Sequence, residues 1–220
     1  MYALILLTLS TIFSKSMIEK PCKILFFGDS ITEQGVQKGG YIDILNQQLI
    51  KKKQTGRFEL IGSGIGGNKV YDLFFRLEND VIRQSPDIAV IWIGINDVWH
   101  KQTHGTGTDF DKFALFYNEI IQKFKKEGIK VICCTPGCIG EKTDFSNAQD
   151  GDLNELSKII KKIASNNQAM VIDIRQAFLE YNLIHNKTNT SYGFLTNDGV
   201  HLNDKGNQLV ADLIWKQIIE

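Results

Sequence analysis

KILFFGDSIT, Lys23 to Thr32, runs through Ile24, Leu25, Phe26 and Phe27 and then stops at Gly28, an acid at Asp29 and a hydroxyl at Ser30. An unbroken apolar run reads as a strand covered on both faces, because an alternating pattern would leave one face to water. Four more runs have the same character: FELIG (58–62), IAVIWIG (88–94), KVICC (130–134) and MVIDI (170–174). Between and after them lie segments with helical apolar spacing: Tyr41–Lys52, Val70–Arg83, Phe110–Glu127, Leu153–Asn166, Arg175–Tyr181 and Asp204–Ile219. Strand alternating with helix implies right-handed crossovers and a parallel sheet. The sequence therefore predicts one three-layer α/β/α domain over residues 17–220, without repeat, low-complexity tract or linker.

Composition supports a packed domain. Of 220 residues, 43% are hydrophobic and 23% charged, which is enough apolar material for a core. Lys plus Arg and Asp plus Glu both number 25, so the cancelled charge gives no electrostatic case for nucleic acid or anionic lipid. A small or neutral partner is expected. The opening MYALILLTLSTIFSKS carries an apolar run too short to span a bilayer but suited to the central segment of a signal peptide. Ser14 and Ser16 are small enough for a cleavage site, although no Lys or Arg precedes the run. The competing reading is a strand or helix tucked into the fold. A cleaved leader over residues 1–16 is favoured, with secretion or periplasmic export as its consequence and a cytoplasmic protein as the alternative. No stable membrane insertion is expected. Cys22, Cys133 and Cys134 fall in expected strands as buried thiols, and CCxxxC at Cys133, Cys134 and Cys138 lacks a fourth metal ligand nearby.

In open parallel sheets a ligand sits beyond the carboxyl ends of the strands, where the strand order reverses. The residues just past each strand are therefore the informative ones: GDSIT, then GSGIGGN, GINDVWH and TPGCIGEKTD, and after the fifth a stretch ending TNDGVHLND. Ser30 is either a helix cap or a nucleophile, and a serine nucleophile needs a base to take its proton. His201 can supply the base, with Asp198 three residues earlier to fix its tautomer. The glycines allow close approach to backbone amides, and Asn96 offers a carboxamide, both suited to a developing oxyanion.

These four blocks, in this order and spacing, resemble the SGNH (GDSL) hydrolase family, above all its lysophospholipase-like and acetylesterase-like acylhydrolases. The resemblance covers nearly the whole chain after the leader. It implies a flavodoxin-like five-stranded parallel sheet in the order 2-1-3-4-5, and a serine esterase that needs no cofactor or metal and acts on a small-molecule ester. By position it makes Ser30 the nucleophile, Asp198 and His201 the other triad members, and the Ser30 amide, the Gly67 amide and the Asn96 side chain the oxyanion hole. The family often has Asn where Gly62 stands, which leaves Gly66 competing with Gly67; Gly67 is preferred. Asp29 and Trp99 are the candidate substrate contacts, with packing the alternative for Trp99. The polar, glycine-bearing loops Lys101–Asp109 and Pro136–Asp150 point to a short acyl group on a polar alcohol such as an acetylated sugar. Lysophospholipase or thioesterase activity is the alternative, and the oligomeric state is not encoded.

Three rivals share these residues. Gly62, Gly64 and Gly67 spell the GxGxxG of dinucleotide binders, but after the second strand rather than the first, and the acid it needs, Asp87, begins a strand instead of ending one. Asp97, His100, His104 and Asp109 could be a metal set, yet Gly105 and Gly107 make that segment read as a loop. A non-catalytic carbohydrate-binding relative would lack a triad member, and none is missing.

Overall fold

The computed structural model of the chain describes residues 20–219, so the expected leader lies outside the described residues. Five parallel strands, β1 (Cys22–Gly28), β2 (Phe58–Gly64), β3 (Ile88–Trp92), β4 (Lys130–Cys134) and β5 (Met170–Ile172), form one sheet in the order β2-β1-β3-β4-β5. This is the three-layer α/β arrangement and strand order that the resemblance implied. The helices are α1 (Ser30–Gly35), α2 (Tyr41–Lys51), α3 (Val70–Asp80), α4 (Ile95–Thr103), α5 (Phe110–Lys126), α6 (Asp150–Asn166), α7 (Ile174–His185) and α8 (Asp204–Ile214). On one side α5 packs between α3 and α6; on the other α2 packs against α8.

The continuous apolar run of β1 is explained by these two layers. Phe26 meets the Tyr41 ring of α2 edge-on at 5.7 Å, while its neighbour Phe27 faces Phe124 of α5 at 6.1 Å. Helix α5 presents Phe113, Tyr117, Ile120, Ile121 and Phe124 to the sheet at three- and four-residue intervals, all of them fully buried. Gly28 pairs with Gly64 on one side and with Trp92 on the other, so β2, β1 and β3 end level. The chain segments leaving them emerge side by side at the point where strand order reverses.

Two strands end earlier than expected. Gly94, at φ +120°, turns the chain out of β3 and into α4. Asp173 caps α7 by accepting from the Gln176 amide at 3.3 Å, which stops β5 at Ile172. The segment holding His100 is helical rather than a loop: Ile95 and Val98 are buried three apart, and the glycines act only after Thr103. The free cysteines Cys133, Cys134 and Cys138 are buried, and Cys22 is half-buried.

Candidate active site

The turn after β1 sets the serine. Asp29 accepts from the Ile31 amide at 3.0 Å and caps α1, which leaves Ser30 as the first residue of that helix, half-buried at the end of the sheet. The first turn of α1 lies directly on β2 at Gly64, where an added Cβ would come within 2.0 Å of the Glu33 amide nitrogen. Only glycine fits there. That contact also removes the dinucleotide reading, because the backbone of α1 fills the approach a pyrophosphate would need. Asp87 is likewise at the wrong end of the sheet, where it accepts from the Lys23 amide at 2.7 Å.

Ser30 Oγ lies 3.0 Å from His201 Nε2 across a sequence separation of 171 residues. On the far side of the ring, His201 Nδ1 lies 2.7 Å from Asp198 Oδ2. The other Asp198 oxygen accepts from the amides of Val200 at 2.9 Å and His201 at 2.8 Å. Burial would push the Asp198 carboxyl up, but the His201 ring and these two amides outweigh it and hold the carboxyl below its ordinary value. An ionised Asp198 fixes the proton on Nδ1 and leaves Nε2 to accept from Ser30. A serine, imidazole and carboxylate so connected can take the serine proton and stabilise the imidazolium that results.

The loop bearing His201 is held by a residue that no sequence motif singles out. Glu141, 1% exposed in the loop after β4, accepts from the amides of Phe194, Leu195 and Thr196 and from the Thr196 hydroxyl, all within 2.8 Å. The Gly140 amide donates to Gly199 O at 2.9 Å beside it. The segment that returns from the sheet edge is thereby fastened over the carboxyl ends of the strands.

On the other side of Ser30 lies the loop after β2. A Cβ on Gly66 would stand 3.9 Å from Ser30 Cβ, and Gly67 takes the left-handed conformation at φ +76°, with the His100 ring beside it. Lys69 Nζ donates to Gly67 O at 3.2 Å. Asn96, 2% exposed in the first turn of α4, donates through Nδ2 to Asn68 O at 3.1 Å. Next to it, Asp97 accepts from the Val70 amide through both oxygens at 3.2 and 3.3 Å. Successive residues of α4 thus hold successive parts of the glycine loop, which brings Ser30, Gly67 and Asn96 to one end of the sheet. Trp99 stands edge-on to the His201 ring at 6.1 Å, and the His100 and His104 rings lie 4.5 Å apart.

Asp29 requires a correction. Expected as a substrate contact, it is 2% exposed and turned into the fold, where its carboxyl serves the helix cap. Burial raises it from 3.8 to about 7 despite the Ile31 amide, and raises Asp97 to about 6 despite its hydrogen bonds. A carboxyl with a raised folded value binds its proton more tightly folded than unfolded, so both groups make stability fall as pH rises through that interval. Asp29→Asn keeps a capping oxygen and removes one titration. The variant's unfolding free energy, measured against wild type in denaturant from about pH 4 to about pH 8, should shift in the variant's favour as pH rises. A difference independent of pH would contradict the assignment.

Volume alone does not locate this site. Clefts of about 540 Å³ beside Gln48, Asp212 and Trp215, and of about 470 Å³ between Lys130 and Met170 at the opposite end of the sheet, lack a nucleophile–base pair. A family model described as GDSL-like Lipase/Acylhydrolase family matches residues 26–209. An acetylxylan esterase of Geobacillus stearothermophilus is 28% identical over 218 residues, covering 89% of this chain and 93% of that protein. An isoamyl acetate-hydrolyzing esterase 1 homolog of Rattus norvegicus is 22% identical over 88% of this chain and 80% of its own length. Among solved structures, the acetyl xylan esterase AlAXEase is 55% identical with a TM-score of 0.88, covering 89% of this chain and 99% of that one.

Proposed function

The chain belongs to the GDSL-like lipase/acylhydrolase family and is a hydrolase of ester bonds, and on that premise we propose that it removes acetyl groups from a carbohydrate through an acyl-enzyme on Ser30. The observation that carries the proposal is the unbroken Ser30–His201–Asp198 hydrogen-bond chain. In the first half-reaction Ser30 Oγ attacks the ester carbonyl as its proton passes to His201 Nε2. The tetrahedral oxyanion is met by the amides of Ser30 and Gly67 and by the Asn96 carboxamide, and His201 returns the proton to the departing sugar hydroxyl. Water activated by the same imidazole then releases acetate and restores Ser30.

The acetyl group and sugar rest on the two acetylxylan esterases among the relatives, and on a site whose neighbours include Trp99, His100 and Asn68. The test is a panel of nitrophenyl esters of increasing chain length beside acetylated xylo-oligosaccharides. Turnover should be highest on acetyl esters and fall with each lengthening of the chain. A preference for long acyl chains would favour the lysophospholipase reading, and a preference for thioesters the thioesterase one. Asn96→Ala should lower kcat on nitrophenyl acetate by about a hundred- to a thousandfold, with KM little changed, because its carboxamide serves the transition state. A variant retaining more than about a tenth of wild-type kcat would remove Asn96 from the oxyanion hole.

Export is part of the same proposal, since a polymer substrate is met outside the cell. It rests on the apolar run within residues 1–16. Mass spectrometry of the mature protein from a secreting host tests it, and an intact leader would refute it.

A further inference from the structure

Arg76 sits midway along α3, on a helix that otherwise reads as covering the sheet, and its side chain is 14% exposed. All five of its N–H groups are engaged. Nε donates to Asn68 Oδ1 at 2.8 Å, Nη1 to Ser63 Oγ at 2.9 Å and Asp80 Oδ2 at 2.6 Å, and Nη2 to Gly28 O at 2.7 Å and Ser63 O at 3.2 Å. The guanidinium also lies over the Phe27 ring, 4.4 Å from its centroid. Apart from Asp80 at the end of its own helix, these partners are the last residue of β1, the end of β2 and the loop after β2. They are the pieces that immediately precede Ser30 and surround Gly67.

One partner leads on into the site. Asn68, whose side chain Arg76 holds, accepts through its backbone carbonyl from Asn96 Nδ2. A primary carboxamide is planar, so committing one N–H to a fixed acceptor sets the direction of the other. We propose that Arg76 is a positioning residue for the oxyanion hole, fixing Asn68 so that the Asn96 carboxamide is aimed correctly. It does this without touching substrate. Lysine cannot replace it, because an ammonium is a point donor whereas the five contacts require a planar fork.

The inference rests on the ester-hydrolase reading. Its test compares Arg76→Lys and Asn68→Ala with wild type on nitrophenyl acetate, each also in the Asn96→Ala background. Each single variant should lose about ten- to a hundredfold in kcat with KM within about twofold, because a donor displaced by a fraction of an ångström affects the transition state more than binding. In the Asn96→Ala background the same substitutions should cost much less, since the group they aim is already gone. An equal loss in both backgrounds, a rise in KM alone, or unchanged turnover would overturn the proposal. Should Arg76→Lys fail to fold, Asn68→Ala carries the comparison, as it leaves the Arg76 contacts to Asp80, Ser63 and Gly28 in place. A wild type that turns over no ester ends the functional reading and this inference together. An active wild type with indifferent variants ends this inference alone.

Discussion

Ser30→Ala should lower kcat on nitrophenyl acetate about a millionfold while leaving the fold unchanged. The hydroxyl is bonded to His201 and packs into no core, and α1 is capped by Asp29 rather than by Ser30. Its removal therefore subtracts chemistry and little else. What persists should be the modest acceleration that oriented donors give to direct attack by water. Steady-state turnover, the absence of a nitrophenol burst and an unaltered thermal midpoint together make the measurement. Retention of more than about a thousandth of wild-type turnover would mean another group attacks the ester.

His201→Ala should cost about as much, and the double variant with Ser30→Ala should be no worse than either alone. Both predictions come from one geometry. The imidazole is useful only because Oγ lies 3.0 Å from one nitrogen and the Asp198 carboxylate 2.7 Å from the other. With the ring absent, the serine keeps its proton at neutral pH and cannot attack. Losses that multiplied in the double variant would show two residues acting independently, which this hydrogen-bond chain does not allow. The Asp198 backbone contacts survive the substitution, so the loop should stay in place and the effect should fall on kcat.

The parts of the molecule that can be read from sequence are those in which one stretch carries its own signal. The strand FELIG and the helix from Phe110 can be placed because burial imposes a local period on apolar residues. Ser30, Asn96, Asp198 and His201 can be named because each follows a strand in a short motif. Helix α4 is misread when glycines two and four residues past its end, Gly105 and Gly107, are weighed above Ile95 and Val98 inside it. Asp29 is misread because a motif gives adjacency without direction: the carboxyl next to the serine turns inward. Arg76 and Glu141 give no local signal at all. A lone arginine on a helix and a glutamate in a loop look solvated, and their partners lie up to 48 and 55 residues away. The glycine spacing GxGxxG stays ambiguous until α1 is seen to occupy the space beside Gly64.

The bond between Ser30 and His201 joins the first strand's end to a residue made only after the fifth strand, across a separation of 171 residues. During synthesis, a nascent chain that has already formed its sheet still lacks a base, and so cannot cleave anything it meets. Competence arrives only with the segment beyond the fifth strand, and a product truncated before it is born inert rather than partly active.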